Sequence, residues 1–153
     1  MIPEKSPEFR FIDRVRQLAG KASGVSLGIG DDAAAVTFES GRPAVVTSDM
    51  LLEGVHFEFP SATPRDVGRK SINVNLSDLA AMAALPRFAV VSVCLPRGRS
   101  IGEELMDGIL EASSEFDMAI IGGDTNAWDG PLIVSVTAIG EAHPKGLVTR
   151  SGA

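Results

Sequence analysis

Hydrophobic and polar residues recur along this chain with two periods, and the changes between them mark the elements. From Phe9 to Ala19, apolar residues return every three or four positions with charged residues between them. This spacing predicts an amphipathic helix, and Gly20 supplies its end. Start signals predict a second helix from Thr63 to about Ala84 and a third from Ser100 to Phe116.

The second and third predicted helices carry N-terminal capping signals. Thr63 is followed by Pro64 and then by Asp66, which is a cap, a first-turn proline and a first-turn acid. Ser100 and Glu103 have the spacing of a capping box. We therefore expect both caps to form.

Short apolar runs between the helices predict strands. Strands alternate with helices, but short antiparallel pairs also occur, so the pattern favours an α+β fold with a mixed or antiparallel sheet and flanking helices. At 153 residues the chain suits a single domain spanning residues 1–153. The predicted strands are Ala33–Phe38, Ala44–Thr47, Phe88–Leu95, Met118–Ile121 and Leu132–Ile139, with a turn at residues 40–43.

Composition narrows the choice of partner. The chain is 44% hydrophobic and has a net charge of −6, which is ordinary for a soluble protein and argues against a nucleic-acid partner. A net-negative protein can still bind phosphates when divalent cations bridge the two.

The apolar segments favour a cytoplasmic protein with no membrane partner. The single cysteine, Cys94, lies in an apolar run, which indicates a packed thiol and excludes an internal disulfide. The N-terminus does not resemble a signal peptide, and no apolar run approaches the length that crosses a membrane.

At four places an aspartate stands beside glycine or a small polar residue at the end of an apolar run. This arrangement suits Mg²⁺, which binds carboxylate oxygens together with water and substrate phosphates. Each motif also has a structural explanation, because aspartate caps turns and helices. The four motifs are Gly30-Asp-Asp32, Thr47-Ser-Asp49, Asn75-Leu-Ser-Asp78 and Gly122-Gly-Asp-Thr125.

Asp78 is the hardest of these to explain as a cap, because it lies inside a predicted helix, where aspartate is a poor former. Ser71, Asn75 and Asp78 follow helical spacing and share one face, while several neighbours are apolar. A partly buried polar face needs partners, and metal or phosphate is one kind. A solvated side of the helix is the alternative.

Two further residues suit phosphate or substrate binding. His56 follows Asp49 by seven residues, close enough to share a pocket rim, although a lone histidine is more often structural. Arg150 precedes a Ser-Gly turn, and arginine grips phosphate well, although a surface charge is the simpler interpretation. The chain contains neither a P-loop nor the kinase loops, so carboxylate-held metals would have to carry phosphate binding if ATP is used.

Taken in order, these motifs resemble the N-terminal domain of the thiamine-monophosphate kinase family, a branch of the aminoimidazole ribonucleotide synthetase superfamily. The resemblance extends from Phe9 over nearly the whole chain. The matching segments are Gly28-Ile-Gly-Asp-Asp-Ala-Ala34, Thr47-Ser-Asp-Met-Leu-Leu-Glu-Gly-Val-His-Phe57, Val74-Asn-Leu-Ser-Asp-Leu-Ala-Ala-Met82, Gly122-Gly-Asp-Thr125 and Thr149-Arg-Ser-Gly-Ala153.

The resemblance implies transfer of the γ-phosphate of ATP to thiamine monophosphate, giving thiamine diphosphate, with several Mg²⁺ ions. It assigns no catalytic residue, but it implies binding roles at matching positions. His56 matches a substrate position, and Phe116, where the family often has tyrosine, matches a nucleotide position together with Gly123 and Arg150. The positions that match magnesium ligands are Asp32, Thr47, Ser48, Asp49, Asp78 and Asp124.

The resemblance also implies a homodimer whose subunits share a barrel, and a second domain, absent here, that completes the site. This chain alone would then be inactive. Two alternatives stay open. One is another ATP-dependent member of the superfamily, although the missing N-terminal cysteine argues against a selenophosphate synthetase. The other is a non-catalytic dimerisation module whose acids only cap turns and helices.

Overall fold

A computed structural model shows an α+β fold in which helices cover one face of a mixed four-stranded sheet. It describes residues 7–27, 29, 35–38, 42–149 and 151. The helices are α1 (Pro7–Ala19), α2 (Pro64–Ala81) and α3 (Gly102–Ser114). The strands are β1 (Val25–Leu27), β2 (Ala35–Val36), β3 (Ala44–Leu52), β4 (Ala84–Pro96), β5 (Ala119–Trp128) and β6 (Ile133–Ala142).

The main sheet has the strand order β3-β6-β4-β5, so β3 and β5 are its edges. β6 pairs antiparallel with both β3 and β4, whereas β4 and β5 are parallel. Parallel neighbours need a crossover connection, and α3 provides it between β4 and β5. β1 and β2 form a separate antiparallel pair.

The two faces of the main sheet differ. Val134, Val136 and Ala138 of β6 are fully buried in the core that the sheet forms with α2 and α3. Side chains on the opposite face are more exposed, and on β3 these include Val46 at 62% and Met50 at 52%. Among the described residues, none of the helices combines the length and apolar character that a membrane crossing requires.

α2 and α3 cross with their backbones in direct contact. A Cβ atom added to Gly68 would lie 2.2 Å from the Leu105 carbonyl oxygen, and one added to Gly108 would lie 2.1 Å from that of Arg65. Both distances are far below van der Waals contact, so each helix needs a glycine where it meets the other. The crossing fixes α2, which carries Asp78, against α3.

The predicted helices are confirmed, but two of their ends differ. The Thr63 cap forms as a capping box with Asp66. α2 stops at Ala81 rather than near Ala84, because Ala83 takes a positive φ of 52° and β4 begins directly after it. The Ser100 capping box is wrong: the N-cap is Ile101, and the first helical bond runs from the Leu105 N–H to the Ile101 carbonyl.

β3 and β5 are longer than predicted. Backbone pairing continues through the polar residues that end the apolar runs, since Asp49 pairs with Val136 and Asp124 pairs with Ser92. Asp49 and Asp124 therefore lie within strands, not after them. The turn at residues 40–43 and the first residues of the predicted strand Ala33–Phe38 fall largely outside the described residues.

Candidate functional site

The site begins where α2 passes over β3. Thr47 and Asp49 are two positions apart on β3, so their side chains point to the same face of the sheet, the one that α2 covers. The Thr47 Oγ1 hydroxyl donates a hydrogen bond to Asp78 Oδ2 on α2 at 2.7 Å. Residues 31 positions apart in sequence thus meet at one edge of the sheet.

The polar face predicted on α2 is real, and part of it is buried. Ser71 and Asn75 are buried, whereas Asp78 at the end of the row is exposed. The Asn75 side-chain nitrogen donates to the Ser71 carbonyl at 3.0 Å, but its Oδ1 atom accepts no hydrogen bond from the described residues. This leaves a buried acceptor one turn before Asp78 that a water molecule would satisfy.

Three carboxylates of the predicted metal site have no cationic partner in the described part of the chain. No ion pair formed within the described segments involves Asp49, Asp78 or Asp124. Two uncompensated carboxylates and a hydroxyl are hard oxygen donors, and this set fits a cation such as Mg²⁺. No group of three or more His, Cys, Asp and Glu side chains suited to a metal occurs in the described part of the chain, which does not include Asp32.

Ser48 and Asp124 are not brought to this group. The Ser48 hydroxyl lies within 3.0 Å of Thr137 Oγ1, on the face away from α2. Asp124 pairs with Ser92 of β4, and Ser92 pairs with Ser135 of β6, so the Asp124 side chain lies on that same face. Its carboxylate accepts a 2.7 Å hydrogen bond from the Asn126 side chain. Because β3 and β5 are three strand spacings apart, about 14 Å separates their backbones. Asp49 and Asp124 of one chain therefore cannot share a metal ion.

His56 lies in a tight turn after β3. The Leu52 N–H donates to His56 Nδ1 at 3.1 Å, the His56 N–H donates to the Leu52 carbonyl at 2.9 Å, and Lys70 Nζ donates to the His56 carbonyl at 2.6 Å. Since Nδ1 accepts a hydrogen bond, the proton of the neutral ring is on Nε2. The exposed ring thus offers an N–H donor, which suits a phosphate oxygen.

Glu53 anchors this turn and was missed by the sequence analysis. Its carboxylate accepts two hydrogen bonds from Arg99 Nη1, at 2.8 and 3.0 Å, and one from the Leu132 N–H at 2.8 Å. Burial acts to raise the Glu53 pKa, but the Leu132 and Arg99 hydrogen bonds, with the Arg99 charge, bring this pKa below its ordinary value. Glu53 and Arg99 are 46 positions apart, and no sequence pattern predicts that they form a pair.

The lowered Glu53 pKa predicts an acid-dependent loss of stability. The carboxylate is bound more strongly by the folded chain than by the unfolded chain, so its contribution is complete above the unfolded-state pKa of about 4.3 and is lost as the pH falls through the lower, folded-state value. The stability difference between wild type and Glu53→Gln should be constant from about pH 7 to pH 5 and should shrink below about pH 4. Urea unfolding across this range measures it, and a difference that grows on acidification would contradict it.

The predicted nucleotide positions lie towards β5. Phe116 follows the end of α3 and is exposed, while Arg150 lies outside the described residues. Gly123 has a packing role, because a Cβ atom there would lie 1.8 Å from the Val91 carbonyl oxygen of β4. A cavity of about 810 Å³ also opens between α1, β1 and the start of β5, and no predicted site residue that the structure describes lines it.

Comparisons with known proteins agree on one family. Residues 30–142 match the family of AIR synthase related proteins, N-terminal domain. A thiamine-monophosphate kinase of Bacillus subtilis is 38% identical over 136 residues, which cover 88% of this chain and 42% of the relative. The chain therefore spans about two fifths of the length of the relatives that it matches.

Solved structures give the same result. The crystal structure of thiamine-monophosphate kinase from Stenotrophomonas maltophilia is 40% identical with a TM-score of 0.80, and the match covers 94% of this chain and 45% of that one. A structure of AaThiL complexed with AMPPCP and TMP is 30% identical with a TM-score of 0.68, covering all of this chain and 48% of that protein.

Proposed function

Because the chain belongs to the family of AIR synthase related proteins, as its N-terminal domain, we propose that it forms the metal- and nucleotide-binding part of an enzyme that phosphorylates thiamine monophosphate with ATP. The observation that carries this proposal is the meeting of Thr47 with Asp78 beside Asp49, where neither carboxylate forms an ion pair with a described residue. The relatives named as thiamine-monophosphate kinases support the choice of acceptor.

In this proposal Thr47, Asp49 and Asp78 hold one Mg²⁺ position. When bound there, Mg²⁺ would screen the repulsion between the phosphates of ATP and polarise the transferred phosphoryl group. Asp124 would serve a second position, since it lies on the other edge strand. Asp32 remains a proposed ligand outside the described residues, and Ser48 has the weakest support, because its hydroxyl is bonded to β6 on the opposite face.

The remaining predicted residues have supporting roles in the proposal. The Nε2–H group of His56 would donate to a phosphate oxygen of thiamine monophosphate. Phe116, Gly123 and Arg150 would contact the nucleotide. Phenylalanine at position 116 would keep aromatic packing but could not make the hydrogen bond of a tyrosine hydroxyl.

The exposed face of the sheet supports a homodimer as part of the same proposal. Val46 and Met50 present apolar side chains to solvent on an edge strand, and such a surface is stabilised when another chain covers it. A barrel made from two such sheets would cover it. Cys94, a free cysteine, is consistent with a reducing cytoplasmic setting.

The proposal predicts Mg²⁺-dependent formation of thiamine diphosphate by the complete protein. ATP and thiamine monophosphate are supplied at rising Mg²⁺ concentrations, and the product is separated by chromatography. Activity should be absent in excess EDTA and should return with Mg²⁺, because phosphoryl transfer needs the metal to offset phosphate charge. Acceptors of the other superfamily branches serve as controls, and turnover of one of those acceptors in place of thiamine monophosphate would overturn the proposal.

A further inference from the structure

The turn that presents His56, residues 52–57, is closed by hydrogen bonds among its own residues, which set its shape. Leu52 accepts hydrogen bonds from the N–H groups of Val55 and His56, and Gly54 donates to the Phe57 carbonyl. Gly54 has a φ of 85°, and Val55 and His56 are exposed. The position of the turn relative to the sheet must therefore come from contacts outside it.

Glu53 supplies such contacts through both its backbone and its side chain. Its N–H donates to the Leu132 carbonyl at 3.0 Å, and its carboxylate accepts from the Leu132 N–H at 2.8 Å. Leu132 is fully buried and immediately precedes β6. Glu53 thus fixes the turn to a rigid part of the core, and Lys70 of α2 holds it at a second point through the His56 carbonyl.

Arg99 extends the connection to the aromatic residues that follow the turn. Its guanidinium binds both Glu53 oxygens and lies over the Phe59 ring, 4.5 Å from the ring centre. Phe59 in turn packs edge to face against Phe57, the last residue of the turn. Glu53, Arg99 and Phe59 together, here called the Glu53 clamp, join the turn to the loop between β4 and α3.

We propose that Glu53 is a positioning residue for the acceptor: through the Glu53 clamp it holds the His56 ring where its Nε2–H can meet a phosphate oxygen. The inference rests on the proposed function, which places His56 against thiamine monophosphate. This role differs from core packing, because Glu53 acts through hydrogen bonds to the Leu132 backbone and to the Arg99 guanidinium. The His56 ring that it positions is exposed at the tip of the turn.

The kinetic test compares Glu53→Ala and Glu53→Gln with wild type in the complete protein. Glu53→Gln keeps an acceptor for the Leu132 N–H but loses the charge bound to Arg99, so its effect should be the smaller one. Glu53→Ala should raise KM for thiamine monophosphate by about tenfold or more while KM for ATP changes less than about twofold, as expected when one ligand loses a contact. Equal increases in both KM values, or no change in either, would overturn the proposal.

The matched control is Asp129→Asn, which removes a neighbouring acid that pairs with Arg97 at 3.5 Å between largely exposed side chains. It also alters the segment that leads to Leu132 but leaves the Glu53 clamp intact. Both KM values should stay at wild-type levels. A rise in KM for the acceptor in this variant would show that any loosening of the region has the effect, and it would count against Glu53.

A spectroscopic test separates the clamp from the proposed activity. Nitrogen-15 NMR of labelled histidine reports the tautomer of His56, whose signal is assigned with His56→Gln. Wild type should show the Nε2–H form, and Glu53→Ala should show a mixture as the ring leaves the Leu52 N–H. His143, whose Nδ1 accepts from the Lys145 N–H at 3.2 Å, is the internal reference and should not change.

The two tests fail in different ways. If wild type makes no thiamine diphosphate, the proposed function fails, and the tautomer alone then decides whether Glu53 positions His56. If wild type is active but His56 keeps one tautomer in Glu53→Ala, the positioning role is overturned and the proposed function stands.

Discussion

Asp78→Asn should lower kcat/KM for thiamine monophosphate phosphorylation by a factor of about 100 or more, the size of effect seen when an electrostatic contact to a transferring group is lost. Asparagine keeps the shape of the side chain and can still accept the 2.7 Å hydrogen bond from Thr47. It removes the charge that a bound Mg²⁺ needs. The measurement is steady-state turnover of the complete protein at saturating Mg²⁺, and unchanged turnover would exclude Asp78 from the site.

Thermal unfolding provides the control for the Asp78 prediction. Asp78 is exposed and forms no ion pair among the described residues, so its substitution should not unfold the chain. Without metal, Asp78→Asn should unfold close to wild type, since the side chain is exposed and asparagine still accepts the Thr47 hydrogen bond. Added Mg²⁺ should stabilise wild type but not the variant. Asp129→Asn, the same chemical change at a surface ion pair, should respond to Mg²⁺ as wild type does.

Gly108→Ala should destabilise the chain by about 3 kcal/mol or more, the upper range for overpacking a close contact. In most helices the same change stabilises by up to about 1 kcal/mol, because glycine is a poor helix former. Here the new methyl group would lie 2.1 Å from the Arg65 carbonyl oxygen, so the helices must separate. Urea unfolding measures the difference in free energy.

Two further variants make the test of the crossing specific. Gly68→Ala should behave like Gly108→Ala, because its Cβ atom would lie 2.2 Å from the Leu105 carbonyl oxygen. Asn73→Ala, at an exposed position of α2, should be neutral or slightly stabilising. If both glycine variants unfold at wild-type urea concentrations, the backbones of α2 and α3 do not meet as described.

Sequence patterns predicted the elements better than their ends. Apolar spacing located α1 and start signals located α2 and α3, and the Thr63 capping box formed because its signal is local. The Ser100 capping box did not form, because Ile101 is the N-cap of α3. Leu105, in the first turns of that helix, is buried in the core. The ends of β3 and β5 depend on pairing with distant strands, so the polar residues Asp49 and Asp124 did not end them.

The candidate site was predictable as a set of motifs but not as an arrangement. The spacing of Ser71, Asn75 and Asp78 indicated a partly buried polar face, and the structure contains it. The separation of Asp124 from Asp49 follows from the strand order β3-β6-β4-β5, which depends on tertiary pairing. The Glu53 clamp also requires the fold, because Arg99 is brought to Glu53 by the end of β4.

The glycine crossing sets a condition for transplanting this chemistry into another scaffold. Asp78 is ten residues beyond Gly68 on α2, a rise of about 15 Å along the helix axis, so a small rotation at the crossing moves the carboxylate several times further than the backbone shifts there. No side chain lies between the backbones at Gly68 and Gly108 to absorb such a change. A design that copies the Thr47 and Asp78 motifs alone would lose their registration; the smallest portable unit is β3 with α2 and α3 together.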